Sequence, residues 1–302
     1  MSIVLPKDYT AVGKLNYSPI PYWSVQQSEV VPACRIDVSS AKSISITVQI
    51  ASLLQCPFNV RGGGHAAFAG GSSVKDGILI NLARLDTVVL SKDRQTASIG
   101  PGNTWYDVYS KLDPLGVSVV GGREAGVGVS GLTLGGGISY FSGRFGWACD
   151  NVRSYEVVLA SGQIVNASPS KHTDLYWALR GGAGSNFGIV SRFDLMAFEQ
   201  GLLWGGSTYH PSTADDALAT AFESFNNAAP TDPYAHLYIA YVYALQLGGF
   251  IGITGPAYGK PVAYPPIFSK IKGIPALLDT THVASMTTLA VELNQTAHQR
   301  QL

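Results

Sequence analysis

Residues 60 to 73, VRGGGHAAFAGGSS, set Gly62, Gly63 and Gly64 in a row between Arg61 and His65, then add Gly70 and Gly71. Successive glycines let neighbouring backbone N–H groups turn inward as an anion-binding nest, with no Cβ to hold a ligand away. Arg61 supplies a countercharge beside it, and a pyrophosphate suits such a cradle. His65 then lies at the mouth, within reach of whatever the phosphates carry. The alternative is an irregular turn in which His65 is an ordinary, partly buried imidazole. The loop by itself does not separate the two.

A second glycine cluster, GGREAGVGVSGLTLGGGISYFSGRFG, contains Gly126, Gly128 and Gly131 in the pattern G-x-G-x-x-G, and Asp150 follows about where a ribose-binding acid would stand. A nicotinamide fold needs that motif directly after the first strand and at the start of a long helix. Here GGREA intervenes after the strand-like VSVV, and LTLGGGIS is a poor first turn. The better reading is a second ligand loop along a large planar cofactor, where missing side chains permit flat approach.

The 302 residues are 46% hydrophobic and 13% charged, enough to bury a large core in one or two domains. Formal net charge is zero with no cluster of Lys and Arg, which argues against nucleic acid as a partner. No apolar run reaches the roughly 18 residues needed to span a bilayer. The opening MSIVLPKDYT lacks a basic start and an apolar core, so the expectation is a soluble chain without a secretion signal, not a membrane protein.

Periodicity predicts mixed α and β structure. AKSISITVQIASLLQ is helical, with apolar residues at 44, 48, 51 and 54, and CPFNV runs as a strand into the glycine loop. GILINL, TVVL and VSVV read as strands, and NTWYDVYSKLDPLG as a helix up to Pro114. YEVVLASGQIVNA reads as a hairpin turning at Ser161-Gly162, HTDLYWALRGG as a helix closed by glycine, and FGIVSRFDL as a strand. Near residue 200 the character changes, with a helix in TADDALATAFESFNNA and strands in HLYIAYVYAL and GGFIGITG.

RGGGH, AGGSS, DGILINL, TASIGPGNTWYDVYSKL, VGVSGLTLGGGIS, GWACDNV, DLYWALRGG and NFGIV follow one another in this order. In that order they resemble the FAD-linked oxidases of the p-cresol methylhydroxylase and vanillyl-alcohol oxidase superfamily, and most of all its berberine-bridge-enzyme-like branch. The resemblance spans about residues 20 to 200 and thins beyond them. It implies an α+β fold, in which residues 1–200 form a two-subdomain FAD-binding domain of the p-cresol methylhydroxylase type. Residues 201–302 are then the start of an α+β substrate domain.

The resemblance further implies that the first glycine loop grips the FAD pyrophosphate and that His65 is joined covalently to the flavin 8α carbon. Gly131 and Gly135, Gly136 and Gly137 would line the flavin, with Gly188, Ile189 and Val190 near the adenine end. Relatives with two covalent links carry a cysteine where Glu124 stands, and Cys149 lies well beyond, so a single link through His65 is expected. The implied activity takes a hydride from an alcohol, sugar or secondary metabolite, with dioxygen as acceptor. The competing reading is a truncated, non-catalytic flavin-binding protein or an incomplete gene product.

That second reading arises because members of the branch continue well past 302 residues, into a tyrosine- and asparagine-rich motif associated with the catalytic base. No base can be named here. Tyr209, Tyr238, Tyr241 and Tyr243 are candidates for facing substrate, although tyrosines in strands more often serve packing. Slow turnover of the 302-residue chain is expected on the same ground. The resemblance also implies a Cys34–Cys56 bridge. Three glycosylation patterns, at Asn16, Asn166 and Asn294, join it in suggesting a secreted full-length form, against the absent signal.

Overall fold

Ser40 opens the first long helix, its hydroxyl accepting from the Ser43 amide while Ser43 Oγ accepts from the Ser40 amide, a reciprocal cap. The computed structural model describes residues 20–182, 186–245 and 248–294. The opening decapeptide, the Asn16 pattern and most of the Asn294 pattern lie outside them.

The first unit comprises α1 (Val25–Ser28), β1 (Cys34–Asp37), α2 (Ala41–Leu53), β2 (Phe58–Arg61) and β3 (Ile78–Asn81). Its strands form a parallel sheet in the order β1-β3-β2, as a helical crossover requires. α2 buries Ile44 and Val48 with Val38, Ile80 and Leu82. Leu54, which the apolar spacing grouped with them, lies beyond the helix and is exposed. The sheet therefore ends β2 at Arg61 and delivers the glycine loop at the carboxyl edge of a parallel strand.

The second unit holds β4 (Val88–Leu90), β5 (Thr96–Ile99), α3 (Trp105–Leu112), β6 (Val117–Val119), α4 (Val129–Leu134), α5 (Ser142–Phe145), β7 (Val152–Val158), β8 (Ile164–Ala167), α6 (Thr173–Leu179) and β9 (Ile189–Glu199). An antiparallel sheet runs β4-β5-β9-β7-β8, with β6 paired to β9. β9 buries Phe193, Leu195 and Ala197 on alternate positions, the half-buried strand pattern. α3 buries Trp105, Val108, Tyr109 and Leu112, one continuous helical face. The β7–β8 hairpin turns at Gly162, whose φ is +82°.

The remaining elements are β10 (Leu203–Gly205), β11 (Thr208–Pro211), α7 (Asp215–Ala228), β12 (Ala235–Ala244), β13 (Gly249–Tyr258), α8 (Ser269–Lys272), β14 (Leu278–Asp279), β15 (His282–Ala284) and α9 (Met286–Glu292). Their sheet runs β14-β11-β13-β10-β15, with β12 paired along the whole of β13. α9 returns to the second unit, where Met286, Leu289 and Ala290 join the core of Trp105 and Tyr109. Asp113 Oδ2 accepts from both the amide and the hydroxyl of Thr287, 2.7 and 2.6 Å away.

The fold is thus the α+β class expected, and among the described residues no helix is long and apolar enough to cross a membrane. One expectation changes, because Cys34, Cys56 and Cys149 are free thiols. Cys34 opens β1, whereas Cys56 precedes β2 and turns its thiol back to Leu54 O at 3.7 Å. Burial first, then neighbouring Cys56, push the Cys34 thiol pKa up.

Candidate functional site

β2 ends in Arg61, whose buried guanidinium Nη2 donates to Pro21 O at 2.8 Å and Nη1 to Asn81 Oδ1 at 3.3 Å. Asn81 in turn donates to Asp37 at 2.6 Å, and the Arg61 guanidinium lies over the Tyr22 ring. Arg61 therefore braces the loop from within the protein and does not line a cleft. Burial holds its pKa below the usual arginine value.

The glycines beyond it are held by close backbone packing. A Cβ on Gly63 would come within 2.5 Å of Gly128 Cα, and one on Gly62 would collide with Ser130 Oγ. Gly64 has φ +73°, the left-handed region that only glycine enters without strain. The first and second glycine loops thus touch backbone to backbone. Among the described residues, the N–H groups of Gly62, Gly63, Gly64, His65 and Ala66 donate to no protein acceptor.

These loops wall a cleft of about 360 Å³. Its lining includes Gly62, Gly63, Gly64, His65, Gly71, Gly128, Gly131, Ile189 and Val190, all singled out from the sequence. A second hollow of about 270 Å³ shares Val60 and Ile189 with it and adds Gly188, Asn186 and Phe187. A Cβ on Gly131 would meet nothing within 4 Å, so that position opens on free space. Bare amides and an unobstructed wall fit a phosphate-bearing planar cofactor such as FAD.

Six of the expected positions lie outside both linings. Besides Arg61, Gly70 O accepts from Asn59 Nδ2 at 2.7 Å, and the Gly126 amide donates to Asn294 Oδ1 at 2.9 Å. Gly136 O and Gly137 O accept from the Cys149 and Ala148 amides, and Gly135 closes α4. Asp150 bonds Arg180 and the Trp147 amide, away from the cleft, and so does not act as a ribose acid.

His65 is the imidazole on the lining of the cleft. Its ring stacks on Trp23, centroids 4.6 Å apart and planes 15° apart. Nε2 is sealed from solvent and stands 3.4 Å from Glu124 Oε1, within ion-pairing reach although not aligned as a hydrogen bond. Trp23, far from the glycines in the sequence, carried no signal there, and Ser72 and Ser130 carried none beyond lying beside glycines.

On the other side of the same loop, Arg123 meets His236 of β12 at 3.1 Å and lies over the Tyr238 ring. Tyr140 packs edge-on against His236, and burial pushes its hydroxyl pKa well up. Of the four tyrosines considered for substrate contact, Tyr238 belongs to this cluster, Tyr209 is half-buried in β11, and Tyr241 and Tyr243 are exposed. None is placed in the cleft.

Residues 32–168 match the FAD binding domain family. The chain is similar to the FAD-dependent monooxygenase tpcD of Cochliobolus heterostrophus, 43% identical over 297 residues, covering 96% of this chain and 57% of that protein. It thus spans little more than half the length of that relative. Among solved structures it resembles 6-hydroxy-D-nicotine oxidase from Arthrobacter nicotinovorans, with TM-score 0.85, 19% identity, and 98% and 67% of the two chains covered. Glucooligosaccharide oxidase from Acremonium strictum, described as carrying 6-S-cysteinyl, 8α-N1-histidyl FAD, superposes with TM-score 0.72 and 20% identity over 93% and 61% of the two chains. Residues 32–168 thus carry an FAD binding domain, and the chain shares the fold of the solved oxidases it resembles.

Proposed function

We propose that this chain holds FAD in the cleft between its two glycine loops, joined through His65, as part of an oxidoreductase acting on a small organic molecule. The observation that carries the reading is the position of His65, on the lining of a cleft whose walls include unpaired amides and bare glycines. The flavin, when bound, supplies an acceptor for a hydride from an alcohol, sugar or secondary metabolite, and dioxygen reoxidises it.

The protein's own part is to bind and to orient. The amides of residues 62–66 receive the pyrophosphate, Gly131 leaves room for the ring system, and the hollow at Gly188 and Ile189, next to Val190 of the main cleft, takes the adenine end. Trp23 fixes the plane of the His65 ring. The relatives' description as monooxygenases favours a second outcome of the same chemistry, in which oxygen enters the product. Peroxide released per substrate oxidised separates the two, because an oxidase releases one equivalent and a monooxygenase does not.

The FAD reading is tested by the absorbance of the purified protein. A colourless polypeptide that takes up no flavin on refolding with excess FAD would sink it. Attachment is tested by acid precipitation, which should leave flavin on the wild-type and Cys149→Ala chains and free it from His65→Ala. Flavin retained by the His65 variant would show the link to be elsewhere.

A further inference from the structure

β12 turns its two faces to different neighbours. Ala235 and Leu237 are buried with Ala221 and Phe225 of α7, so the alternate residues His236 and Tyr238 project from the other face of the sheet. That face meets the loop of residues 121–126, where Arg123 Nη1 donates to His236 Nε2 at 3.1 Å and the guanidinium lies over the Tyr238 ring. Gly255, opposite Tyr238 in β13, gives the ring its seat, since a Cβ there would collide with it. Tyr140 completes the group, edge-on to His236.

The charge in this group is unbalanced. A histidine that accepts from a guanidinium is neutral, so His236 offers Arg123 no countercharge. The next carboxylate in the chain, Glu124, faces His65 at 3.4 Å, and Glu292, which acts on Tyr140, faces His282 at 3.3 Å. Among the described residues Arg123 makes no ion pair, and of the several donors on a guanidinium only the one to His236 is engaged. The buried Tyr140 hydroxyl likewise donates to no acceptor among the described residues. A half-buried cation with free donors costs free energy that a bound anion would offset. Because Arg123 adjoins Glu124, the group stands one residue from the His65 end of the cleft.

We propose that Arg123, with the Tyr140 hydroxyl beside it, binds the carboxylate of the molecule that the flavin oxidises, so that the substrate is a small organic acid. The proposal rests on the flavin reading above and adds to it the chemical class of the substrate. A guanidinium matches the two oxygens of a carboxylate as a bidentate pair, and a buried hydroxyl supplies a further donor. Held there by one end against the sheet, the acid extends past Glu124 toward the cleft. His236 is a positioning residue, which aims the guanidinium and, staying neutral, leaves its charge for the substrate.

The test is calorimetric titration of the FAD-loaded chain with benzoate and with its neutral isostere, benzamide. Benzoate is expected to bind about ten- to hundredfold more tightly, the usual worth of hydrogen bonds to a charged group. Arg123→Gln should bring benzoate down to the affinity of benzamide, and Arg123→Lys should keep part of the preference. Tyr140→Phe, which retains the ring packed on His236, should weaken benzoate severalfold. Equal binding of the two probes by the wild-type chain overturns the proposal and leaves the flavin reading standing, and that comparison needs no variant to fold. Benzoate bound as tightly by Arg123→Gln as by wild type also overturns it, since the anion then sits elsewhere. A chain that takes up no FAD overturns the flavin reading, and this inference with it.

Discussion

Arg123 Nη1 lies 3.1 Å from Nε2 of His236, and because a guanidinium only donates, that nitrogen must accept and the imidazole must be neutral with its proton on Nδ1. Burial, and then the like charge of Arg123, hold the His236 pKa down to about 3. In the unfolded chain the same group titrates near 6.5. The stability that its neutral form contributes is fully present above about pH 6.5 and is lost as pH falls toward 3, at up to roughly 1.4 kcal/mol per pH unit. Urea unfolding between pH 7 and 4 should show that slope in the wild type and a shallower one in His236→Gln. Equal slopes would show that His236 is protonated in the folded protein.

Two glycine substitutions should separate scaffold from cleft. Gly63→Ala puts a methyl against the Gly128 backbone, which cannot yield as a side chain tip would, so it should destabilise the apo-protein by about 1–3 kcal/mol. Gly131→Leu fills open space instead. It should leave the apo-protein melting temperature unchanged and weaken FAD binding at least tenfold, as measured by flavin fluorescence titration. Unaltered FAD affinity in Gly131→Leu would place the flavin elsewhere.

Asp113 caps α9 from a distance of 174 residues in the chain, by accepting two hydrogen bonds from Thr287. Asp113→Ala should cost about 1–2 kcal/mol, the range of a lost helix cap. Amide hydrogen exchange at Thr287 to Leu289 should quicken with it. Because α9 also receives the Ala125 amide, the same variant should loosen the loop that carries Arg123 and Glu124.

The far end of the β12–β13 hairpin exposes Tyr241, Tyr243 and Phe250 together, and β12 pairs only with β13 among the described strands. An apolar patch on an open edge favours association. Size-exclusion chromatography should show concentration-dependent oligomers for this chain and fewer for Tyr243→Lys with Phe250→Lys. Identical elution of the two would remove the hairpin from consideration.

Much of this arrangement was legible in the sequence because its signals are local. The Ile44–Val48–Ala51 spacing, the Trp105 to Leu112 face and the Ser161-Gly162 turn each need only their own neighbours to act. The glycines at 62–64, 128 and 131 were legible for a different reason, since a bare backbone has few uses other than close approach. β14, two residues long, exists only through pairing with β11, and nothing in Leu278–Asp279 announces a strand. Gly126 and Gly135–Gly137 look like Gly131 in sequence. Their partners, Asn294 and the 147–149 turn, are chosen by how the chain returns and not by any nearby residue. The pairing of Arg123 with His236, and of Glu124 with His65, depends on the same return.

The contact between Gly63 and Gly128 carries one more consequence. The cradle has one wall from each of two separately built sheets, so it exists only in molecules whose units have already come together. On the covalent reading, flavin attachment is then an irreversible mark left by a reversible event. Denaturation afterwards would erase the structure and keep the colour. The fraction of yellow polypeptide in a preparation would count every molecule that had ever reached the native arrangement, whether or not it remained there.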